Sequence, residues 1–397
     1  MDNKVALVKC ASYDDEVYLA VKRAVDYLGG IEKFVAKGNT VVLKVNAVQK
    51  AAPEKCATTH PAVVEAVGKL CVKAGASRVI IADSAGGPFN AGYMGGIFKV
   101  CGFTGIAEKN GFEVNSNFDS FEAKLPNGKV SKKFLICDVL READVIINLS
   151  KLKTHSFTGL SNAVKNMFGA IPGLTKVEMH GQYRTLDVFN NFLYDIQDYF
   201  ADKLTLHITD AVVGMEGPGP TNGMPRAIGA ILAGSNPAAV DVIGARLMKN
   251  DPMTLPTITI GIERGYLDER VNVEVWGDSV DDLAVENYKI VTPDGYRPFA
   301  HSMPKWLQPV VHRLTTQRPT VNRRKCRGCK KCYEHCPVKA ISMVPTKKGG
   351  VPKAKFDYNK CIRCYCCQEL CPFGLVKVKS GLVYKLMHIG SNKKTKK

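Results

Sequence analysis

Two cysteine runs near the end of the chain repeat one spacing: Cys326-x2-Cys329-x2-Cys332-x3-Cys336-Pro337 and Cys361-x2-Cys364-x2-Cys367-x3-Cys371-Pro372. Three thiols this close can wrap one corner of an iron–sulfur cubane only in a tight loop, and the fourth ligand must come from farther away. The proline after each run stops a helix from continuing across that last ligand. Zinc sites use two Cys-x2–4-Cys pairs or Cys/His mixtures, which the doubled spacing fits poorly. Disulfides are rare in reducing cytosol, where a dense cysteine cluster points to metal or catalysis. Cys366 is a ninth cysteine in this region. Exchanging it for Cys367 would change the final spacing to x4, so it reads as a non-ligand beside the cluster. Cys10, Cys56, Cys71, Cys101 and Cys137 are scattered and unpaired in sequence, as buried small hydrophobes are.

The doubled run resembles bacterial two-cluster ferredoxins, in which the last cysteine of each run ligates the other run's cluster. The resemblance implies two [4Fe–4S] clusters. Cys326, Cys329, Cys332 and Cys371 would hold one, and Cys361, Cys364, Cys367 and Cys336 the other. The net charge of +18 concentrates in the same region: residues 1–304 carry a net −2, and residues 305–397 a net +20. Such a module calls for a partner of opposite sign. An acidic electron-transfer protein such as a ferredoxin is the expected one. Nucleic acid is set aside, because no RNP-type aromatic motif accompanies the basic residues.

The preceding part reads as α/β. Lys4–Lys9, Val41–Val45, Val79–Asp83 and Val145–Leu149 are apolar strand-like runs. Helical spacing follows Asp14-Asp15 and Pro61 between them. Leu204–Asp210 and Ala227–Ala233 are further strands, and a helix is expected near Ala238–Met248. Strand alternating with helix implies a mostly parallel sheet with covering helices. The expected division is an α/β domain over 1–295, a linker over 296–320, a small α+β ferredoxin-like domain over 321–382 and a basic tail over 383–397. No apolar run approaches the roughly 18 residues of a membrane span. The start lacks a signal-peptide pattern, so the expected location is cytoplasmic.

Ligands of open α/β sheets gather at the carboxyl ends of strands, and polar residues cluster there. Lys44, Asn46 and His60 follow the second strand. Lys151, Lys153, His155, Ser161, Asn162, Lys165 and Asn166 follow the Val145 strand, with His180 beyond. Lysines beside a helix start suit an anionic small molecule. His155 or His180 would give the proton that reduction of an organic group needs, with Lys165 in the catalytic set. Phosphate-binding glycine loops, Gly-x-Ser-x-Gly and paired metal histidines are absent. A flavin or other organic cofactor needs no linear motif, so that cofactor stays unknown.

Lys44-x-Asn46, Thr59-His60-Pro61, Ser150–His155, Ser161–Asn166 and Gly234–Asp241 together resemble the DUF362 family, described as iron–sulfur centre proteins. The resemblance implies anaerobic redox metabolism without naming a substrate. The expected function is an iron–sulfur oxidoreductase passing low-potential electrons to a ligand site in the α/β domain. The alternative is a non-catalytic electron carrier or redox-sensing adaptor that binds a partner protein.

Overall fold

The computed structural model describes residues 2–293, 317–346 and 350–379. Strands β1 (Lys4–Lys9), β2 (Thr40–Lys44) and β3 (Arg78–Ala82) each bury four consecutive residues. Runs buried on both faces need cover on both faces, and the helices between them supply part of it. Asp14 caps the helix Asp15–Tyr27 by accepting from the Glu16 amide. The His60 ring caps the helix Pro61–Lys73 through the Ala62 amide, with proline at its first position.

Beyond these come β4 (Glu113–Val114), the hairpin β5 (Ser120–Lys124) and β6 (Lys133–Cys137), and then β7 (Val145–His155), β8 (Gly159–Ser161), β9 (Leu204–Glu216), β10 (Met224–Gly234) and β11 (Glu274–Gly277). Nine strands form one sheet in the order β11-β1-β10-β9-β7-β2-β3-β4, with β8 paired to β7. The pairs β2–β3, β2–β7, β3–β4, β7–β9 and β1–β11 are parallel. The pairs β1–β10, β9–β10 and β7–β8 are antiparallel. The sheet is therefore mostly parallel, as expected. Alternate side chains feed two cores: Val42, Ile80 and Ile146 on one face, Val41, Leu43, Ile81 and Ile147 on the other.

One strand departs from expectation. β7 does not end at Leu149 but runs on to His155, with all eleven residues buried. Ser150 and Lys151 pair with Thr209 and Asp210 of β9, and Lys153 pairs with Ser161 of β8. Tertiary partners neutralise these polar side chains and keep the backbone in the ladder. β9 likewise continues past Asp210 to Glu216.

The cysteine-rich module adds β12 (Arg318–Val321), β13 (Ile341–Val344), β14 (Lys353–Phe356) and β15 (Val376–Lys379), paired antiparallel as β12–β15 and β13–β14. Single helical turns, Lys331–Glu334 and Cys366–Glu369, follow the two cysteine loops. The expected linker lies outside the described residues up to 316, and Arg318–Thr320 already belong to β12. The expected basic tail, 383–397, lies wholly outside them. Among the described residues no helix is long and apolar enough to cross a membrane.

Candidate functional site

The two cysteine loops share one backbone. Gly328 and Lys330 take φ values of 67° and 62°, and the matching Arg363 and Tyr365 take 59° and 60°. Left-handed conformations at the same two positions bend each loop tightly enough to aim three thiols inward. Cys336, Cys361, Cys364 and Cys367 line one small cavity, together with Pro319, Ile341 and Phe356. Burial pushes the Cys332 thiol up to about 11, and the neighbouring Cys329, Cys371 and Cys326 thiols push it further. Each grouping brings together cysteines that the ferredoxin resemblance assigns to one cluster. The Ala340 amide donates to Cys336 Sγ at 3.2 Å, and the Leu375 amide to Cys371 Sγ at 3.3 Å. Crowded thiols with amide donors suit iron, whose binding favours thiolates. The residues therefore fit the cubane clusters that the sequence implies.

Cys366 is not among them. It is 4% exposed and faces a second, far larger cavity between the module and the sheet domain. That cavity measures about 1120 Å³. Its sheet-domain wall includes Asn46, Asp83, Ser84, Lys153, His155, Ser161, Lys165, Asn166, Phe168, Lys176 and His180. Its module wall includes Lys331, His335, Cys366, Glu369, Leu370, Cys371 and Phe373. Gln368 Nε2 donates to the Pro218 carbonyl at 3.0 Å across the junction, and Glu369 Oε1 lies 3.5 Å from His155 Nε2.

A polar chain organises the inner wall. Lys153 Nζ donates to Asn46 Oδ1 at 2.7 Å and to the Ala57 carbonyl at 2.6 Å. Asn46 donates to Asn166 Oδ1 at 2.9 Å, and Asn166 donates to Asn148 Oδ1 at 2.7 Å. His155 Nδ1 accepts from the Phe157 and Thr158 amides at 3.1 and 3.3 Å, which leaves the proton on Nε2, toward Glu369. Among the described residues no hydrogen bond or ion pair holds the Lys165 ammonium, which lies 4.7 Å from the Phe168 ring centroid. The His180 ring stacks on Phe189 at 4.5 Å, and its buried Nδ1 has no hydrogen-bond partner.

The electrostatics are those of cations held out of water. Burial pulls Lys153 down to about 7, against the Glu369 carboxyl and with help from Lys165 and Lys151. Burial also lowers Lys165, which Glu369 and Cys366 oppose. Lys176 falls to about 8 for the same reason. His180 falls to about 3 by burial and the nearby Lys165, and His155 drops well below its ordinary value. Burial raises Glu369 against the pull of Lys165 and Lys153. Both imidazoles are thus neutral near pH 7, and two lysines exchange protons close to it.

Of the residues singled out in the sequence, Asn46, Lys153, His155, Ser161, Lys165, Asn166 and His180 meet at this cavity. Lys44, His60, Lys151 and Asn162 do not line it. Lys44 pairs with Asp83 at 2.6 Å, and Lys151 with Asp210 at 2.8 Å, each pair fully buried. His60 is a helix cap stacked on Tyr13 at 3.6 Å. Asn162 accepts from Ser150 and Thr209 beneath the site. Sequence reasoning missed Lys176 and Glu369. A lone lysine carries no signal, and the carboxyl acquires its place only when the module docks.

Two family models match separate parts of the chain. The family described as Domain of unknown function (DUF362) matches residues 41–246, and the 4Fe-4S dicluster domain matches residues 325–375. The thylakoid-associated protein sll1697 of Synechocystis is 29% identical over 316 residues, covering 78% of this chain and 93% of that protein. The pyruvate synthase subunit PorD of Thermotoga maritima is 32% identical over 62 residues, covering 16% of this chain and 58% of that protein. Among solved structures, the lactate racemase apoprotein of Thermoanaerobacterium thermosaccharolyticum aligns with a TM-score of 0.41 at 17% identity, covering 62% of this chain and 56% of that one.

Proposed function

The chain belongs to the DUF362 family and carries a 4Fe-4S dicluster domain; from this premise we propose that it is a reductase, its two [4Fe–4S] clusters supplying single low-potential electrons to an anionic small molecule in the interdomain cavity. The supporting observation is that one cavity is lined both by the ligand cysteine Cys371 and by Lys153, His155 and Lys165. Lys153 and Lys165 hold the anion. Asn46 and Ala57 fix the Lys153 ammonium and leave one of its three protons for the ligand. An anion there restores the charge that burial suppresses, so binding takes up protons near neutral pH. His155 offers its Nε2–H as a neutral donor. Lys153 and Lys176 exchange protons in the range where the product must be protonated. The dense thiols favour a reducing compartment, and the proposal places the protein in the cytoplasm.

The test uses reconstituted, dithionite-reduced protein freed of excess reductant under strictly anoxic conditions. It is mixed with ultrafiltered small molecules from an anoxic bacterial extract, divided on an anion-exchange resin. The expected result is that a resin-retained fraction restores the oxidised cluster absorbance. Lys153→Met and Lys165→Met should slow that recovery at least about tenfold, equivalent to about 1.4 kcal/mol, with iron content unchanged. Recovery at the same rate in both variants refutes the proposal, as does recovery only with the unretained fraction.

A further inference from the structure

The module is an internal repeat, and its two halves meet different surroundings. In the second half Tyr365 is 1% exposed, Cys366 4% and Gln368 1%, all pressed into the junction with the sheet domain. The matching residues of the first half are Lys330, Lys331 and Tyr333, and all three are exposed. The second ligand of each run shows the same contrast: Cys364 is buried, and Cys329 is open to solvent. Sequence follows exposure. Ile362, Tyr365 and Cys366 on the docked loop correspond to Arg327, Lys330 and Lys331 on the other. One half of a symmetric pair has exchanged apolar and thiol groups for cations.

Those cations crowd one exposed loop. Arg323, Arg324, Lys325, Arg327 and Lys330 are exposed, and all lie within six residues of Cys329. Arg327 stacks over the Phe373 ring at 4.8 Å, and the Lys353 ammonium donates to the Cys326 carbonyl. Cys329 and Cys371 belong to one expected ligand set. The same set therefore has one thiol at this basic surface and another on the cavity wall. Among the described residues no other ligand cysteine lines that cavity.

We propose that the outward loop, Arg323–Lys330, is the docking face of an acidic one-electron carrier protein, and that electrons enter the chain beside Cys329. In the step one electron leaves the reduced carrier, which is oxidised by one electron. The module is reduced by one, and no proton or atom is transferred. The inference deepens the reductase reading but rests on the surface alone, so it stands or falls without any ligand in the cavity. Charge complementarity selects the partner. A ring of cations against acidic groups accelerates encounter by about 10- to 1000-fold at low salt.

Association of a small acidic [2Fe–2S] ferredoxin with the iron-loaded full chain tests this, measured at several salt concentrations. The triple variant Arg324→Glu, Lys325→Glu, Arg327→Glu is compared with Lys73→Glu, Lys124→Glu, Lys132→Glu on exposed sites of the sheet domain, which changes net charge equally. The expected result is at least about a tenfold loss of association rate at low salt for the first variant only. Its salt dependence should flatten, and cluster reduction by a neutral viologen radical should keep its rate. Equal losses in both variants overturn the proposal, because the field of the whole molecule then suffices. No loss in either overturns it too. So does random duplex DNA that binds this face and displaces the ferredoxin, which would make the face a nucleic-acid surface. Should the charge reversal lower iron content, Arg324→Gln with Arg327→Gln is the substitute, with a smaller loss of the same sign expected and an unchanged rate counting against the docking face.

Discussion

Replacing Lys153 by methionine should stabilise the protein while disabling its cavity. The ammonium is 1% exposed, and burial lowers it from an ordinary 10.5 to about 7. Each pH unit between those values costs the fold about 1.4 kcal/mol, so at pH 7 the cost is roughly 4 kcal/mol. Methionine fills nearly the same volume without the charge, but it abandons the hydrogen bonds to Asn46 and Ala57. Two acceptors left without a donor return about 1–3 kcal/mol of that gain. The variant should therefore be the more stable by roughly 1–3 kcal/mol at pH 7, a rise of several degrees in Tm. The sign follows from proton binding. Between pH 7 and 10.5 the unfolded lysine holds a proton that the folded one lacks, so wild-type stability climbs with pH and levels off below 7. The variant lacks this contribution, so its advantage shrinks by about 1.4 kcal/mol per pH unit from pH 7 toward pH 9. Far-UV circular dichroism melts of both proteins, run anoxically at one scan rate from pH 6 to 9, measure the gap. A gap independent of pH, or a variant weaker throughout, would mean that Lys153 is a satisfied structural ammonium.

Two other substitutions probe the parts around the cavity. A Cβ on Gly169 would sit 2.1 Å from Asp83 Oδ1 and 2.3 Å from Lys44 Nζ, so Gly169→Ala should break their buried ion pair. Losing such a pair costs roughly 3–5 kcal/mol, visible as a large fall in Tm, and an unchanged melt would show that the pair can move aside. Iron analysis separates ligand from neighbour in the second cysteine loop. Cys366→Ser should keep about eight iron atoms per chain, and Cys367→Ser should drop to about four. Equal loss from both would make Cys366 a ligand.

How far the sequence could be read depended on whether a feature carries its own geometry. The doubled cysteine spacing does, because x2-x2-x3 leaves few ways to aim three thiols at one point, and both loops repeat the same left-handed turns. The first three strands were also legible, since unbroken runs such as Val79–Ala82 can only be interior. Ser150–His155 was not. Six polar-rich residues read as following the strand rather than continuing it, because the groups that keep them in the ladder, Asp210 and Asn46 among them, lie 59 and 107 positions away. The same distance problem hid the split among the lysines. Lys44 and Lys151 look like Lys153 and Lys165 in sequence, and only tertiary pairing spends the first two on Asp83 and Asp210 while leaving Lys165 without an ion pair among the described residues. The internal repeat is the intermediate case. Its symmetry is written in the cysteines and its asymmetry in the residues between them, where Lys330 faces Tyr365 and Lys331 faces Cys366 in the alignment of the halves. A residue that would be unremarkable alone gains meaning from its counterpart, because both sit on the same backbone and differ only in what they must touch. Burial selected tyrosine and thiol on the half that meets the sheet domain. Apart from Arg327 on the Phe373 ring, no ion pair among the described residues holds the like charges of the other, where mutual repulsion makes them a cost to the isolated chain. Under the docking proposal that cost is offset when an acidic partner covers the surface.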